Sequence, residues 1–212
     1  MFKAVFTSIL LLMAPAMGAP FPVRLAPGVN YDESSAEATG QERGPLYVRA
    51  AMVYEGLEAN HLVIALPALI NAAESFVGKP VLRGHDWRDP DMCVGLIQAV
   101  GVREDRPRGH FYLEAILVVQ DHHAITRILD GRYRSLSIGF VILEARCDQA
   151  DYRDPRLCGH WPGRLLVSPT GVVTITTMNI TGLKGVELSF INVPACEPAR
   201  VLDCSFEPLK LR

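Results

Sequence analysis

The chain lacks a strongly basic block, an internal repeat and a low-complexity tract. Its 21 Lys and Arg residues are balanced by 23 Asp and Glu residues, which gives a formal net charge of −2 at pH 7. Without a basic patch, the composition gives no indication of nucleic acid as a partner or substrate. With 212 residues, 49% hydrophobic and 21% charged, the chain is long enough to form one well-buried domain.

A complete disulfide framework is excluded, because the cysteines number five. An odd count favours reduced thiols in a cytoplasmic protein. A Cys-x-x-Cys pair, which structural zinc sites usually contain, is absent as well. The residues nearest to a metal-binding pattern are Cys147, Cys158 and His160. A loop with buried thiols, or a disulfide between the two cysteines, is the simpler explanation, so we predict no metal site and no cofactor.

The N-terminal apolar run is too short for a comfortable transmembrane helix, and Pro15 and Pro20 also count against one. We therefore expect no membrane partner. The first three residues and the apolar stretch after them do have the pattern of a secretory signal, with a cleavage site at residues 16–18. Export through this segment and retention in the cytoplasm both remain open.

Alternating and β-branched stretches predict a mainly β protein with a few helices. Strands are expected at residues 47–54, 111–119, 134–142 and 172–180, and helices at 67–76 and up to Leu129 after an Asp121 N-cap. This organisation predicts an N-terminal apolar segment and flexible connection at residues 1–45, a folded domain at 46–205 with an inserted Cys/His loop at about 145–165, and a tail at 206–212.

The segment S-L-S-I-G-F, which ends at Phe140, has a polar and an apolar face if it is extended. Leu136 and Ile138 belong to the apolar face, while Ser137 and Gly139 share the polar one. We expect the glycine to leave room for a substrate backbone beside the hydroxyl. An ordinary strand whose polar face meets water has the same pattern.

A histidine and a carboxylate stand in two other strand-like contexts. His85 follows the apolar pair Val81 and Leu82 and leads into a polar turn. Glu187 occupies the polar face of a second alternating segment. A serine, a histidine and a carboxylate are the components of a serine hydrolase whose triad is assembled by the fold. Taken singly, each residue is equally consistent with a solvated surface position.

Together the segments resemble the tailed-phage prohead proteases, which are related by fold to the herpesvirus assemblin proteases. The resemblance covers roughly residues 45 to 200. It rests on K-P-V-L-x-x-H-D-W ending at Trp87 with Val94 and Gly95 after it, on a short helix that runs into S-I-G-F, and on E-L-S-F-I-N-V-P-A ending at Ala195 with Ala199 beyond it.

The resemblance implies an α+β, mainly β fold, a partly closed antiparallel β-barrel flanked by a few helices. It also implies a serine endopeptidase with Ser137 as nucleophile, His85 as general base and acid, and Glu187 as third member. Assemblins use a second histidine in the third place, so Asp86 and the pair His122 and His123 compete with Glu187. The implied substrates are the phage scaffold protein, the major capsid protein and the protease itself, cleaved within the assembling prohead in the host cytoplasm.

The sequence leaves open the oligomeric state of the protein and a competing function. Assemblins form homodimers, and the residues do not decide whether this chain does. The competing function is a non-enzymatic β-rich binding or scaffold module, exported if the N-terminal segment is a signal, in which Ser137, His85 and Glu187 are surface residues. A secreted hydrolase of another kind is a weaker option, because no G-x-S-x-G elbow surrounds Ser137.

Overall fold

A computed structural model describes residues 24–25, 44–149 and 158–211 of the chain. The signal-like segment and most of the predicted connection at 1–45 lie outside the described residues, as does part of the predicted Cys/His loop. The strands, in chain order, are β1 (Arg24–Leu25), β2 (Leu46–Tyr54), β3 (Glu58–Ala59), β4 (Leu62–Ile64), β5 (Pro80–Arg83), β6 (Cys93–Asp105), β7 (His110–Val119), β8 (Ser135–Cys147), β9 (Leu165–Val167), β10 (Val173–Ile175), β11 (Met178–Ile191) and β12 (Arg200–Ser205).

Within the described part of the chain, seven strands close into a barrel. Their order is β12, β2, β7, β6, β5, β11 and β8, and the pairing of Arg200 in β12 with Ser135 in β8 completes the circle. Closure leaves no exposed edge between these strands. The predicted mainly β barrel with flanking helices is confirmed. The barrel is fully closed, and β5 runs parallel to β11 whereas the other pairings in the circle are antiparallel.

The longest ladder in the barrel joins β8 to β11, from Ser135 opposite Ile191 to Cys147 opposite Met178. Its apolar face is buried, since Leu136 and Leu188 are 0% exposed and Phe190 is 3% exposed. The ring of Phe190 stacks on Tyr133 with centroids 5.3 Å apart. The alternation therefore predicted correctly that these three side chains face the core, whereas Ile138 on the same face is half-buried.

The strand predicted at 172–180 is interrupted. β10 ends at Ile175 and β11 begins at Met178. Between them, the backbone of Thr176 exchanges hydrogen bonds with Gly163 and Arg164 of the preceding loop instead of continuing the ladder. The antiparallel pair β9 and β10 therefore forms a separate small hairpin before the chain enters the barrel.

Two α-helices lie in the described chain, α1 (Leu66–Ala72) and α2 (His122–Leu129). The predicted N-cap of α2 is confirmed, because the Asp121 carboxylate accepts a hydrogen bond of 2.7 Å from the backbone N–H of Ala124. α1 continues as a 3₁₀ turn at Ala73–Phe76, which completes the helix expected at 67–76. Among the described residues, no helix combines the length and apolar character needed to cross a membrane.

The 3₁₀ turn fixes the chain just before β5. Phe76 is 0% exposed, and its ring packs directly on the backbone of Gly185 in β11. The Ser75 hydroxyl donates to the carbonyl of Ala72 at 2.6 Å and accepts from the N–H of Gly185 at 2.8 Å. This packing attaches the helical segment to the same strand that β5 joins, and so positions the end of β5.

We predict that Phe76→Ala lowers the free energy of unfolding by about 3–5 kcal/mol, because it leaves a cavity between the 3₁₀ turn and β11. Phe111, which is 37% exposed, is the matched control. Phe111→Ala should cost on the order of 1 kcal/mol or less. Urea unfolding of both variants measures the difference, and equal losses would contradict the packing described for Phe76.

Candidate active site

Glu187 is a buried carboxylate in the middle of β11, only 2% exposed. It stands opposite Gly139 of β8 in the ladder. A Cβ atom on Gly139 would lie 2.2 Å from Oε1 of Glu187, so any larger residue would collide with the carboxylate. The space that we expected Gly139 to leave for a substrate backbone is therefore occupied by Glu187. The reading of Glu187 as a solvated strand carboxylate is excluded by its burial.

His85 reaches this carboxylate through a turn at the end of β5. Gly84 has φ +86°, a left-handed conformation that favours glycine. Its N–H donates to the carbonyl of Phe190 in β11 at 3.1 Å, which holds the turn against that strand. Nδ1 of His85 then lies 2.8 Å from Oε1 of Glu187. The parallel pairing of β5 with β11 thus brings the predicted histidine and glutamate into contact.

The second oxygen of Glu187 is bonded to Ser189, a residue that sequence reasoning did not select. The Ser189 hydroxyl lies 2.5 Å from Oε2 of Glu187 and 2.9 Å from the carbonyl oxygen of Gly84. Its single proton is best donated to the charged acceptor at the shorter distance. The signal was available, because Ser189 follows Glu187 by two residues and so shares its strand face.

Ser137 occupies the adjoining strand. It pairs with Ser189 across the ladder, so both side chains project from the same face of the sheet. Directly opposed Cβ atoms in antiparallel strands are about 4.5–5.5 Å apart. Ser137 is 9% exposed, whereas the His85 side chain is 37% exposed. Ser137 and Glu187 therefore lie on the same face of the β8 and β11 ladder, and His85 contacts that face through Glu187.

The other candidates for the third member of the triad do not take the place of Glu187 beside His85. Asp86 is exposed, and its carboxylate accepts a hydrogen bond of 3.2 Å from the N–H of Arg88. His122 and His123 are exposed in the first turn of α2, and His123 accepts a bond of 2.6 Å from Arg127. Of these candidates, Glu187 is the one that contacts His85.

A second set of buried charges lies on other strands of the barrel. Arg49 in β2 is 6% exposed and forms an ion pair of 2.6 Å with Asp203 in β12. Glu114 in β7 lies 3.9 Å from Arg49 and 3.7 Å from Arg103 in β6. These groups connect neighbouring barrel strands and neutralise one another, which indicates a structural role.

Comparisons of the chain with models of protein families, with curated proteins and with solved structures find no match. The site is therefore interpreted from its own geometry. Because Nδ1 of His85 faces the carboxylate, Nε2 is the nitrogen left to exchange a proton. A histidine held by a carboxylate, together with a serine hydroxyl on the same sheet face as that carboxylate, has the components for general-base catalysis by a nucleophilic serine.

We predict that Gly139→Ala and Glu187→Ala are strongly coupled. In the wild-type background, Gly139→Ala should cost about 1–3 kcal/mol of unfolding free energy, because the new methyl group collides with the carboxylate. In the Glu187→Ala background the collision is gone, and the coupling energy should be on the order of 1 kcal/mol or more.

Urea unfolding of the single and double variants measures this coupling. Gly44→Ala serves as control, because no atom lies within 4 Å of the position of its Cβ. Its effect should add to that of Glu187→Ala. Additive effects of Gly139→Ala and Glu187→Ala, within about 0.5 kcal/mol, would contradict the close approach of the two residues.

Proposed function

We propose that the protein is a serine endopeptidase in which Ser137 is the nucleophile, His85 the general base and acid, and Glu187 the residue that orients the histidine. The observation that carries this proposal is the hydrogen bond of 2.8 Å between His85 and the buried Glu187. Burying a carboxylate is costly, and surface residues without a shared role give no reason to place one beneath a histidine.

The proposed reaction is acyl transfer. Nε2 of His85 takes the proton of the Ser137 hydroxyl while Oγ attacks the carbonyl carbon of a peptide bond. The tetrahedral intermediate collapses, the C–N bond breaks, and the amine leaves with the proton that His85 returns. Water then attacks the ester with the same assistance, which releases the acid and regenerates the hydroxyl. A serine hydroxyl is barely ionised at neutral pH, so it depends on the base.

Glu187 and Ser189 have supporting roles in this proposal. The carboxylate holds the imidazole with Nδ1–H toward Oε1 and stabilises the imidazolium that forms during the reaction. Ser189 donates to the other oxygen, which fixes the rotation of the carboxylate. Both residues lie on strand β11, which pairs along its length with β8.

The proposed substrates follow from the resemblance to prohead proteases. They are the scaffold protein and major capsid protein of a tailed phage, and the protease itself, cleaved inside the assembling prohead in the host cytoplasm. The segments that carry the resemblance contain Ser137, His85 and Glu187. The contact between His85 and Glu187, which lie in two of these segments, supports capsid maturation over an unrelated hydrolase.

A non-enzymatic binding module is the second candidate, and one observation favours it. The hairpin of β9 and β10 exposes four apolar side chains on one face, Leu165, Val167, Val173 and Ile175, which are 49–69% exposed. Such a surface is typical of a contact with another protein. It does not account for the buried Glu187, and a protease that works among scaffold proteins also needs contact surfaces.

We predict that Ser137→Ala abolishes proteolysis and leaves the fold intact, because the variant removes only the nucleophilic oxygen. The wild-type protein and the variant are each co-expressed with the proposed capsid and scaffold substrates, taken from the genes that neighbour the protease gene. Cleavage is followed by intact mass. Ser135→Ala is the control, since Ser135 lies on the same strand and should be dispensable. A fully active Ser137→Ala protein would show that Ser137 is not the nucleophile.

We predict that Glu187→Gln lowers kcat by roughly 10²–10⁴-fold with little change in KM, because the amide cannot stabilise the imidazolium. Asp86→Asn, which alters the neighbouring carboxylate, should leave kcat unchanged. Both variants are assayed on a peptide that contains the mapped cleavage site, with thermal unfolding as a check on folding. A large loss of kcat in Asp86→Asn, with normal kcat in Glu187→Gln, would make Asp86 the third member of the triad.

A further inference from the structure

Three potential metal ligands converge at the far end of the β8 and β11 ladder from Ser135. Cys147 is the last residue of β8 and pairs with Met178, the first residue of β11. Cys158 and His160 belong to the segment that leads into the β9 and β10 hairpin. One ligand atom from each of the three lies within 4.8 Å of the other two.

The distance between Cys147 and His160 agrees with tetrahedral coordination. Zn–S bonds of about 2.3 Å and Zn–N bonds of about 2.0 Å at the tetrahedral angle place sulfur and nitrogen about 3.5 Å apart, and two sulfurs about 3.8 Å apart. Sγ of Cys147 lies 3.5 Å from Nδ1 of His160. Cys147 is 6% exposed, and Cys158 and His160 are half-buried. The cluster is therefore partly shielded from solvent, but an ion can still reach it.

We propose that Cys147, Cys158 and His160 bind one zinc ion, with water or another small donor in the fourth position. Two thiolates and an imidazole are a donor set that selects zinc over magnesium or calcium. The sequence pattern indicates these three residues as the nearest candidates for metal ligands but predicts no site, because Cys147 and Cys158 are eleven positions apart and the chain lacks a Cys-x-x-Cys pair. The fold supplies the proximity that the spacing does not.

The ion would attach the hairpin to the barrel. The backbone already joins the two parts here, since the N–H of Asp148 donates to Thr177 and the N–H of Gly163 donates to Thr176. Zinc would add bonds from Cys158 and His160 to the end of β8. The ion would therefore cross-link the hairpin to the barrel away from the proposed triad, and it would hold the apolar face of the hairpin in a fixed position.

A disulfide between Cys147 and Cys158 is the competing explanation of the same geometry. It would remove both thiolate ligands, so the two states exclude each other in one molecule. Protein purified under reducing conditions is therefore analysed for metal, and its intact mass under denaturing conditions shows whether the thiols have lost their hydrogens. Reconstitution with Co²⁺ provides a spectroscopic readout, since thiolate coordination gives a near-ultraviolet charge-transfer band and tetrahedral geometry gives intense visible bands.

We expect stoichiometric zinc, a tetrahedral Co²⁺ spectrum and a lower thermal midpoint after chelation. Cys158→Ser and His160→Ala should each lower Zn²⁺ affinity by more than the roughly 10- to 100-fold lost when an outer-shell partner is removed. Cys93→Ser is the matched control, because Cys93 is an exposed thiol at the start of β6, and Ser137→Ala should also bind zinc normally.

Reduced, folded protein that neither retains zinc nor gives the Co²⁺ bands would overturn the proposal. Metal retained equally by Cys158→Ser and His160→Ala would overturn it as well. Oxidised thiols in metal-free protein, with no uptake of Zn²⁺ after reduction, would establish the disulfide instead. None of these outcomes depends on whether the protein cleaves peptides.

Discussion

A buried carboxylate needs hydrogen-bond partners, and the arrangement around Glu187 meets that requirement. One oxygen is bonded to His85 and the other to Ser189, while the absence of a side chain at Gly139 leaves the carboxylate its space. Removing any of these features would leave an unpaired charge in the barrel wall or force the carboxylate to move. The position of His85, and with it the proposed chemistry, depends on this one group.

The topology of the barrel makes the contact possible. Within the barrel circle, β5 pairs with β11 in parallel, so the chain leaves β5 in the same direction as β11 runs. The turn at Gly84 then returns His85 over the face that carries Glu187. β8 lies on the other side of β11 and brings Ser137 to the same face. The same long ladder carries the cysteine and histidine cluster at its opposite end, which separates the proposed chemistry from the proposed metal.

Much of the fold could be predicted from local patterns, because alternation and capping are local properties. The alternating residues of β8 and the Asp121 cap of α2 are examples. Closure of the barrel, the burial of Glu187 and the role of Ser189 could not be predicted in this way. A glutamate on a polar strand face has the same pattern whether that face meets water or a histidine, and the parallel partner that decides between them is about a hundred residues away in the chain. The convergence of His160 with Cys147 and Cys158 also depends on the fold, because the spacing of these residues in the chain does not fix the distances between their side chains.

The central claim is that Ser137 is activated by His85, and covalent labelling tests it without knowledge of the substrate. Purified wild type and a His85→Ala variant are treated with a serine-directed phosphonate, and the adduct is located by peptide mass mapping. We expect an adduct on Ser137 in the wild type and a large loss of labelling in the variant. An adduct on another serine, or equal labelling of Ser137 in both folded proteins, would contradict it.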